Sequence, residues 1–427
     1  MFYLSIFQSH DVNMYEVECR VEECISEISV NELAIIARGF FLNQKRIHSK
    51  KLIENFLIKL RTDIKIVDGV CLGTIMKAIR YSDCCHCLHM ARDLLECIRE
   101  EVPRLPLVNL IHVAHALGSI RMYDKILLDM ILQRMENEIK SARLKDIERV
   151  IYAVCTTSPY TEYTSECNKL ITEIQETYKT KRADEVRMFP ASLARILMFI
   201  TYKKIYPEEL WIYVMRPTFI QQIYKNRISL LTNELWTLHN SIQIEVPNYK
   251  GELLKPALHN RLIKKYYNRD DIYRRDKGVR LRIEIAYFCK DQLGLDVYTD
   301  CILPHFLSVD IVLGFDEHNK SVPVEPTLAA MPMGSVKRVD NLPDDQKKIK
   351  WKVLLILYQM QKVVGHDGYI GPMYAKFRQL QAIGYTPIPV PELNWNLLYT
   401  DEQKSSYLKQ LIYDDSDTVD VLQKMPV

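Results

Sequence analysis

The sequence predicts a mostly α-helical protein, with a helical-repeat array (an α-solenoid) over about the first two-thirds and a small α/β domain after it. Three observations predict this fold. Apolar residues recur at helical spacing through the first half, small residues recur about every 38 residues, and the hydrophobic pattern becomes that of short strands beyond residue 300. Gly is also scarce, at 13 of 427 residues, which favours helices over flexible linkers.

Residues 30–185 are assigned to the repeats, after an N-terminal segment at 1–29. Each repeat pairs a first and a second helix, with breaks at Gly or Pro. The first helices are predicted at Asn31–Phe41, Leu72–Arg80, Leu107–Leu117 and Asp146–Cys155, and the second helices at Ser49–Leu60, Leu88–Glu100, Lys125–Ile139 and Glu166–Thr180. Ala37, Ala78, Ala116 and Ala153 occupy equivalent positions, 41, 38 and 37 residues apart. Because small side chains let helices approach closely, this spacing predicts stacked repeats.

Residues 186–295 continue as helices and end in a strongly basic window. The predicted helices are Pro190–Tyr202, Glu208–Lys225, Leu230–Ile242, Tyr249–Tyr267 and Val279–Leu293, the last stopped by Gly294. The window 255–282 holds ten basic and three acidic residues, so it carries +7 while the rest of the chain carries −4. Such an asymmetric charge distribution indicates a polyanionic partner.

Residues 300–413 are predicted to form the α/β domain, and 414–427 an acidic tail. Strands are expected at Leu307–Leu313, Ser321–Glu325, Lys352–Tyr358 and Tyr385–Val390, and helices at Gly371–Ile383 and Asp401–Tyr413. The prolines of the last strand confine it to a sheet edge or to positions that need no N–H. The order strand, strand, strand, helix, strand, helix indicates a compact α/β sandwich.

Several classes of protein are excluded by composition. The eleven cysteines have no regular spacing, which indicates free thiols in a reducing compartment. The longest apolar runs are far shorter than the ~18 residues of a membrane-spanning helix, so no membrane partner is expected. Residues 1–20 contain three acids and only one Arg, so no mitochondrial transit peptide is visible.

The C-terminal residues resemble the RAP domain of the FAST kinase domain-containing family. The resemblance lies in Pro304-His305-Phe306, Val309-Asp310, Lys352–Leu357, Gly371 with Lys376, Arg378 and Leu380, Gly384-Tyr385, Ile388-Pro389, Trp395 and Tyr407-Leu408. Upstream, Leu230–Pro247 is similar to the FAST region of the same proteins, and the N-terminal repeats are similar to octotricopeptide-type repeats. The match covers roughly Met188 to Tyr413.

This resemblance implies a mitochondrial matrix protein that binds single-stranded transcripts and regulates their stability, processing or translation. It implies protein partners in RNA granules, and a RAP domain with the fold of PD-(D/E)xK nucleases. The absence of a visible transit peptide departs from the family pattern. Two alternatives of other classes stay open: a metal-dependent RNA endonuclease, and a protein–protein scaffold built on the repeats.

The basic window is the leading candidate for RNA binding. The residues predicted to contact RNA there are Lys264, Lys265, Tyr266, Arg269, Arg274, Arg275, Arg280 and Arg282, with cations on phosphates and tyrosines stacking on bases. Lys376 and Arg378 are added, on the expectation that they lie on the exposed face of the RAP helix. The alternative is a solvated charged surface with no ligand.

Catalytic and metal motifs are incomplete. Asp310 and Glu325 are the candidate carboxylates of a nuclease, but the (D/E)-x-K that should accompany them is missing, so binding without catalysis is expected. No kinase motif and no P-loop is present. Cys84, Cys87 and His89 have zinc-ligand character, yet no second pair follows them, and small core cysteines are the alternative. The sequence predicts no cofactor.

Overall fold

The computed structural model describes residues 2–6, 12–82, 84–225, 227–267 and 278–413 of the chain. The chain divides into two units. Unit 1 comprises Met1–Val186 and Val363–His366, and unit 2 comprises Arg187–Lys362 and Asp367–Val427. Helices come first and a small sheet follows, which confirms the predicted fold class of helical repeats and an α/β domain.

Unit 1 is built from helices with short connections. They are α1 (Phe2–Ile6), α2 (Met14–Cys24), α3 (Val30–Leu42), α4 (Lys50–Thr62), α5 (Gly69–Tyr81), α6 (Leu88–Glu101), α7 (Leu107–Ile120), α8 (Lys125–Glu138), α9 (Leu144–Thr157) and α10 (Thr164–Thr177). The four predicted helix pairs are α3–α4, α5–α6, α7–α8 and α9–α10, each with ends within three residues of the prediction. Ser29, Ser49, Asp68 and Asp124 cap four of these helices by accepting a backbone N–H.

The repeats stack in two layers. The first helices α3, α5, α7 and α9 pack one on the next, and the second helices α4, α6 and α8 form the other layer. Ala37, Ala78, Ala116 and Ala153 are at most 1% exposed, so the prediction that small residues mark the packed position is confirmed. A Cβ on Gly118 would lie 2.7 Å from the Tyr152 ring, which shows how closely α7 and α9 approach.

Unit 2 begins with helices and continues into the sheet. After α11 (Ala183–Met188), its helices are α12 (Pro190–Thr201), α13 (Glu208–Val214), α14 (Pro217–Tyr224), α15 (Asn233–Glu245), α16 (Pro256–Tyr266) and α17 (Val279–Tyr287). The single helix predicted over Glu208–Lys225 is wrong: Pro217 starts a second helix, because a proline lacks the N–H that a helix interior needs.

Among the described residues, the sheet has five strands. They are β1 (Tyr298–Asp300), β2 (Asp310–Phe315), β3 (Ser321–Val322), β4 (Lys350–Leu357) and β5 (Thr386–Pro391), in the order β1-β2-β4-β5 with β3 also paired to β2. β4 and β5 are parallel, with Lys352 opposite Thr386, and the other pairs are antiparallel. The proline-containing strand β5 lies at an edge, as predicted, whereas β1 was not predicted.

Helices cover both faces of this sheet. The remaining helices are α18 (Glu325–Ala329), α19 (Asp344–Lys347), α20 (Gly371–Ala382), α21 (Glu392–Asn396) and α22 (Asp401–Tyr413). Ile311 and Leu354 pack with α17, Trp395 and α22 on one face, and Val312 and Val353 pack with α20 on the other. Because both faces are covered, β4 is a nearly continuous apolar run.

Two further features bear on the sequence predictions. The residue that ends α20 is Gly384, with φ of +96°, a conformation that side chains with a Cβ rarely adopt. Glu325 was predicted in a strand, but it starts the short helix α18, where Pro326 follows at a position suited to proline. Within the described ranges, no helix is both long and apolar enough to cross a membrane.

Candidate nucleic-acid interface

The described part of the basic window contains cations in different environments. Lys264 is exposed on α16. Lys265 Nζ donates to Ser229 O at 2.9 Å and to Leu231 O, and Tyr266 Oη donates to Leu231 O at 2.5 Å. Lys265 and Tyr266 therefore hold α16 to the segment before α15. Arg269, Arg274 and Arg275 lie outside the described residues.

The two arginines of α17 have opposite exposures. Arg280 is exposed, whereas Arg282 is 2% exposed among core residues. The positive charge of Arg282 acts to lower the pKa of the Asp310 carboxyl, which favours the ionised carboxylate. The placement of Arg282 on an accessible basic surface is therefore wrong, because it lies on the face of α17 that Leu281 and Ile285 turn towards the sheet.

Lys376 was expected on an exposed helix face, and this placement is also wrong. It is 2% exposed, and its Nζ donates to Ser308 Oγ at 2.6 Å and to the carboxylate of Asp310. Burial raises the pKa of the Asp310 carboxyl, and the Lys376 ammonium opposes that shift. A second buried ion pair joins Lys337 Nζ to Asp300 Oδ2 at 2.7 Å.

Arg378 is half-buried in a hydrogen-bonded network of unit 2. Its guanidinium donates to both carboxylate oxygens of Glu245, at 2.5 and 3.2 Å, and to Thr201 O at 2.7 Å. Beside it, Gln379 donates to Glu245 and accepts from His305 Nε2 at 2.8 Å. The network connects α20 to α12 and α15, and so Arg378 has a structural role that does not need a ligand.

The candidate nuclease carboxylates lie in different environments. Asp310 is 2% exposed and is neutralised by Lys376, whereas Glu325 is exposed on α18. Across the described ranges, no three Asp, Glu, His or Cys side chains are grouped closely enough to hold a metal ion. Asp310 and Glu325 could hold a divalent metal ion together only if both carboxylates faced one site.

The candidate zinc ligands also lie in different environments. The Cys84 and Cys87 thiols are buried and donate to backbone carbonyls, Cys84 to Ile79 O at 3.6 Å and Cys87 to Cys84 O at 3.5 Å. His89 is exposed at the start of α6. The two cysteines thus pack as small core residues.

A cationic surface that the sequence reading missed lies on the first-helix layer of unit 1. We define the cationic cluster as Arg38 of α3, Lys77 and Arg80 of α5, and Arg143 and Arg149 at the start and in the first half of α9. Asp146 pairs with Arg143 and Arg149, at 2.7 and 3.0 Å. Among the described residues, no carboxylate lies within ion-pair distance of Arg38, Lys77 or Arg80.

The pKa of Lys77 responds to the other cations of the cluster. Burial lowers the pKa of Lys77, and the next largest causes are the positive charges of Arg149, Arg38, Arg80 and Arg143. Each of these four cations therefore lies close enough to Lys77 to act on its ammonium, although the sequence separates Arg38 from Arg149 by 111 residues. Like charges held together repel each other, so an anionic ligand would be favoured here.

Aromatic and imidazole rings lie among these cations. Lys77 Nζ lies 5.9 Å from the centre of the Phe41 ring, and the Arg80 guanidinium lies 5.0 Å from the Tyr81 ring. Arg80 also contacts His115 Nδ1 at 2.6 Å. Rings beside cations are an arrangement by which proteins bind unpaired bases and phosphates together.

The class of protein defined by these features is a helical-repeat protein with an α/β domain and a cationic repeat surface. No protein-family model matches the chain. The chain is 23% identical over 318 residues to "FAST kinase domain-containing protein 5, mitochondrial" of Mus musculus, and 22% identical over 320 residues to the Homo sapiens protein of the same name. Each match covers 73% of this chain and 40% of the relative. The chain is therefore similar to proteins of the FAST kinase domain-containing family, in keeping with the resemblance carried by its residues.

Proposed function

We propose that this protein is an RNA-binding, non-catalytic regulator of mitochondrial RNA, and that the cationic cluster of unit 1 binds single-stranded RNA. The relatives are named as mitochondrial proteins, and the chain spans 40% of their length. That likeness supports the same compartment and an RNA-associated role for this chain. A RAP domain in residues 300–413 and partners in RNA granules belong to the same proposal.

The convergence of charge on the first-helix layer is the observation that carries the proposal. Arg38, Lys77 and Arg80 come from successive repeats and have no carboxylate at ion-pair distance among the described residues. A phosphate chain crossing this layer would neutralise them in turn. Tyr81 on α5 and Tyr152 on α9 supply rings in the same layer for bases to stack on. Neither α5 nor α7 contains an acidic residue that would repel the phosphates.

A binding role is favoured over RNA cleavage by the environment of Asp310. A metal ligand must offer its carboxylate to the ion, but Lys376 already occupies the Asp310 carboxylate inside the core. We therefore expect labelled RNA to remain intact when incubated with the protein in Mg²⁺ or Mn²⁺. Hydrolysis that disappears in Asp310→Ala would replace the binding proposal with an endonuclease.

The test is binding of a short fluorescein-labelled oligouridylate, followed by fluorescence anisotropy. Lys77→Glu/Arg80→Glu inverts two charges of the cluster, and we expect it to weaken binding by roughly 10- to 100-fold, or about 1.4–2.8 kcal/mol. Lys51→Glu/Arg92→Glu makes the same charge change at exposed positions of α4 and α6. That control should weaken binding by less than about threefold.

Circular dichroism and gel filtration would establish that both variants fold. Equal losses in the two variants would indicate general charge attraction without a site on the first-helix layer. Unchanged binding in Lys77→Glu/Arg80→Glu would exclude the cluster as the RNA surface. Absence of oligouridylate binding by the wild type at low salt would favour the protein–protein scaffold.

A further inference from the structure

Unit 2 contains a cavity of about 590 Å³ that none of the predicted sites uses. Its walls come from α15, from the segment that leads into α16, and from the loop before α19. Its volume lies within the range of small-ligand pockets, which is about 300–1,000 Å³. The lining combines an apolar floor, including Ile244 and Leu254, with amides and imidazoles around it.

Two histidines form one wall of the cavity. The rings of His239 and His259 lie with centres 4.4 Å apart and planes inclined by 33°, which is close to a stacked arrangement. His239 Nδ1 accepts the Leu254 N–H at 3.2 Å, so the hydrogen of this ring lies on Nε2. His259 Nε2 is buried and has no hydrogen-bond partner among the described residues.

These imidazoles are neutral at physiological pH. Burial is the largest cause that lowers the pKa of His239, to about 3, and His259 and His305 contribute further. Burial also lowers the pKa of His259. A neutral imidazole offers a π face together with one donor and one acceptor, which suits an uncharged heteroaromatic ring better than a phosphate.

Amide groups supply the remaining polar edge. Asn240, Asn260 and Asn341 line the cavity, and Asn240 uses Nδ2 to donate to Trp236 O at 2.9 Å. Arg338 lies on the rim, but its guanidinium is held by Asp340 at 2.9 and 2.7 Å. Amides present a donor and an acceptor side by side, as base edges do.

We propose that this cavity binds one unpaired nucleobase, stacked on the His239–His259 pair and hydrogen-bonded at its edge by asparagine amides. The base can belong to a free nucleotide or to a strand of single-stranded RNA. The second source rests on the proposed function, although the cavity and the cationic cluster belong to different units. The site is an addition to that function, because no predicted RNA contact lies in its lining.

The surroundings leave room for the rest of a nucleotide. A neighbouring cavity of about 740 Å³ shares the rim residues Ser335, Val336, Arg338 and Asn341. Lys264 is exposed and lies one helical turn beyond Asn260, on the same face of α16. Gly334 packs against Ile263, so the rim loop follows α16 towards this lysine. Lys264 is therefore placed to contact a phosphate of the bound nucleotide.

The experiment combines affinity with location. The full chain is titrated calorimetrically with AMP, GMP, CMP and UMP, and with a short oligouridylate. 4-Thiouridine monophosphate and a 4-thiouridine-containing oligonucleotide are then crosslinked by ultraviolet light, and the crosslinked peptides are mapped by mass spectrometry. We expect crosslinks in peptides that contain residues 239–260 or 335–341, with at least one of the two probes.

A filled cavity provides the control. Asn341→Trp places a large ring over the exposed rim, and we expect it to lower crosslinking at this site at least fivefold. Asn396→Trp makes the same change at an exposed position of α21, outside the cavity lining, and should leave crosslinking unchanged. Circular dichroism would establish that both variants fold.

Each outcome is decisive. Crosslinking by the monophosphate supports the cavity as a free-nucleotide site, and crosslinking by the oligonucleotide alone supports a base within a strand. Crosslinks elsewhere, or crosslinks that Asn341→Trp leaves intact, would overturn the proposal. In Lys77→Glu/Arg80→Glu the cavity crosslink with the monophosphate should persist, so failure of the cationic cluster and failure of the cavity are distinguishable.

Discussion

At the Asp310–Lys376 pair, one carboxylate and one ammonium are both removed from water. Lys376 Nζ also donates to Ser308 Oγ at 2.6 Å, and Asp310 accepts the Ile302 N–H at 3.4 Å. Desolvating two charges is costly, so a buried pair adds little net stability compared with apolar residues of similar size. Removing one partner alone is different, because it leaves an uncompensated charge in the core.

Lys376→Met should therefore lower the free energy of unfolding of unit 2 by about 3–5 kcal/mol. The double variant Asp310→Leu/Lys376→Met removes both charges, and we expect it to recover at least half of that loss. Urea unfolding followed by tryptophan fluorescence measures this directly, since Trp211, Trp236, Trp351 and Trp395 all lie in unit 2. A loss below about 1 kcal/mol in the single variant would contradict the prediction.

His239 and His305 should make unit 2 sensitive to mild acid. Burial lowers their pKa values to about 3 and about 4, below the ordinary value of 6.5. Because the folded pKa is the lower one, the stabilisation is complete above pH 6.5 and is lost as the pH falls below it. From about pH 7 to about pH 5, each histidine should cost about 2 kcal/mol of unfolding free energy.

The measurement is the urea midpoint of tryptophan fluorescence across this pH range. His305→Asn removes one of the buried histidines of unit 2 whose pKa is lowered, so its loss of stability over the range should be smaller than that of the wild type by about 2 kcal/mol. The comparison uses the change with pH within each protein, which allows for any constant cost of the substitution. Identical pH dependence in the two proteins would show that His305 is not the group responsible.

Periodicity could not predict which charged residues are buried. Lys376 lies three residues from Met373, and Arg282 lies three residues from Ile285, so both share a face with core residues. A helical pattern assigns charges to solvent by default, whereas here a partner carboxylate compensates them. The cationic cluster was missed because its members come from three helices, and only stacking of the repeats brings them together.

At the scale of elements, arginines repeatedly hold the turns between repeats. Arg104 donates to Ile64 O and Val67 O, both at 2.9 Å, and Arg134 donates to Val102 O at 2.9 Å. Arg182 donates to Ile139 O at 2.8 Å and to Ala142 O at 2.5 Å. The carbonyls recur at 64, 102 and 139, which is the repeat period. Each guanidinium satisfies carbonyls that a helix end leaves without partners.

Arg182→Met should loosen the turn after α8. The change keeps the apolar stem but removes the charge-assisted hydrogen bonds to Ile139 O and Ala142 O, at a cost of about 3 kcal/mol. It also removes the weaker bonds to Thr177 and Glu173. Hydrogen exchange with mass spectrometry should show faster exchange of amides between Lys140 and Asp146. Arg61→Met is the control, because Arg61 forms an exposed ion pair with Asp93 that should contribute under about 1 kcal/mol. Unchanged exchange in Arg182→Met would contradict the structural role.

The boundaries of elements were predictable where local chemistry marks them. Ser29 and Asp124 cap α3 and α8, and Gly384 ends α20, so these ends follow from residue type. β1 has only three residues, too few for an alternating pattern, and it forms by pairing Tyr298 with Val312 of β2. Short strands of this kind depend on their neighbours and carry no signal of their own.

At the scale of the whole molecule, binding of RNA should be governed by the number of phosphates that are neutralised. For single strands, the logarithm of the affinity falls with the logarithm of the salt concentration with a slope of about −0.7 per phosphate contact. If Arg38, Lys77 and Arg80 each contact one phosphate, replacing all three with Gln should make the slope shallower by about 2. Replacing Lys51, Arg61 and Arg92 with Gln changes the net charge equally.

That second variant should leave the slope within about 0.5 of the wild type, because exposed cations of the second-helix layer would not touch the strand. The measurement is oligouridylate affinity by fluorescence anisotropy at a series of KCl concentrations.

The basic window gives a separate contribution: inverting Lys264, Lys265, Arg274 and Arg275 to Glu should reduce both the affinity and the slope if it also contacts phosphates. If the slope changes only in the window variant, the RNA binds at the basic window and the cationic cluster of unit 1 is not its binding surface. If the slope changes in both variants, RNA contacts both surfaces. Binding of oligonucleotides of increasing length would then distinguish one strand that contacts both surfaces from two strands that each contact one.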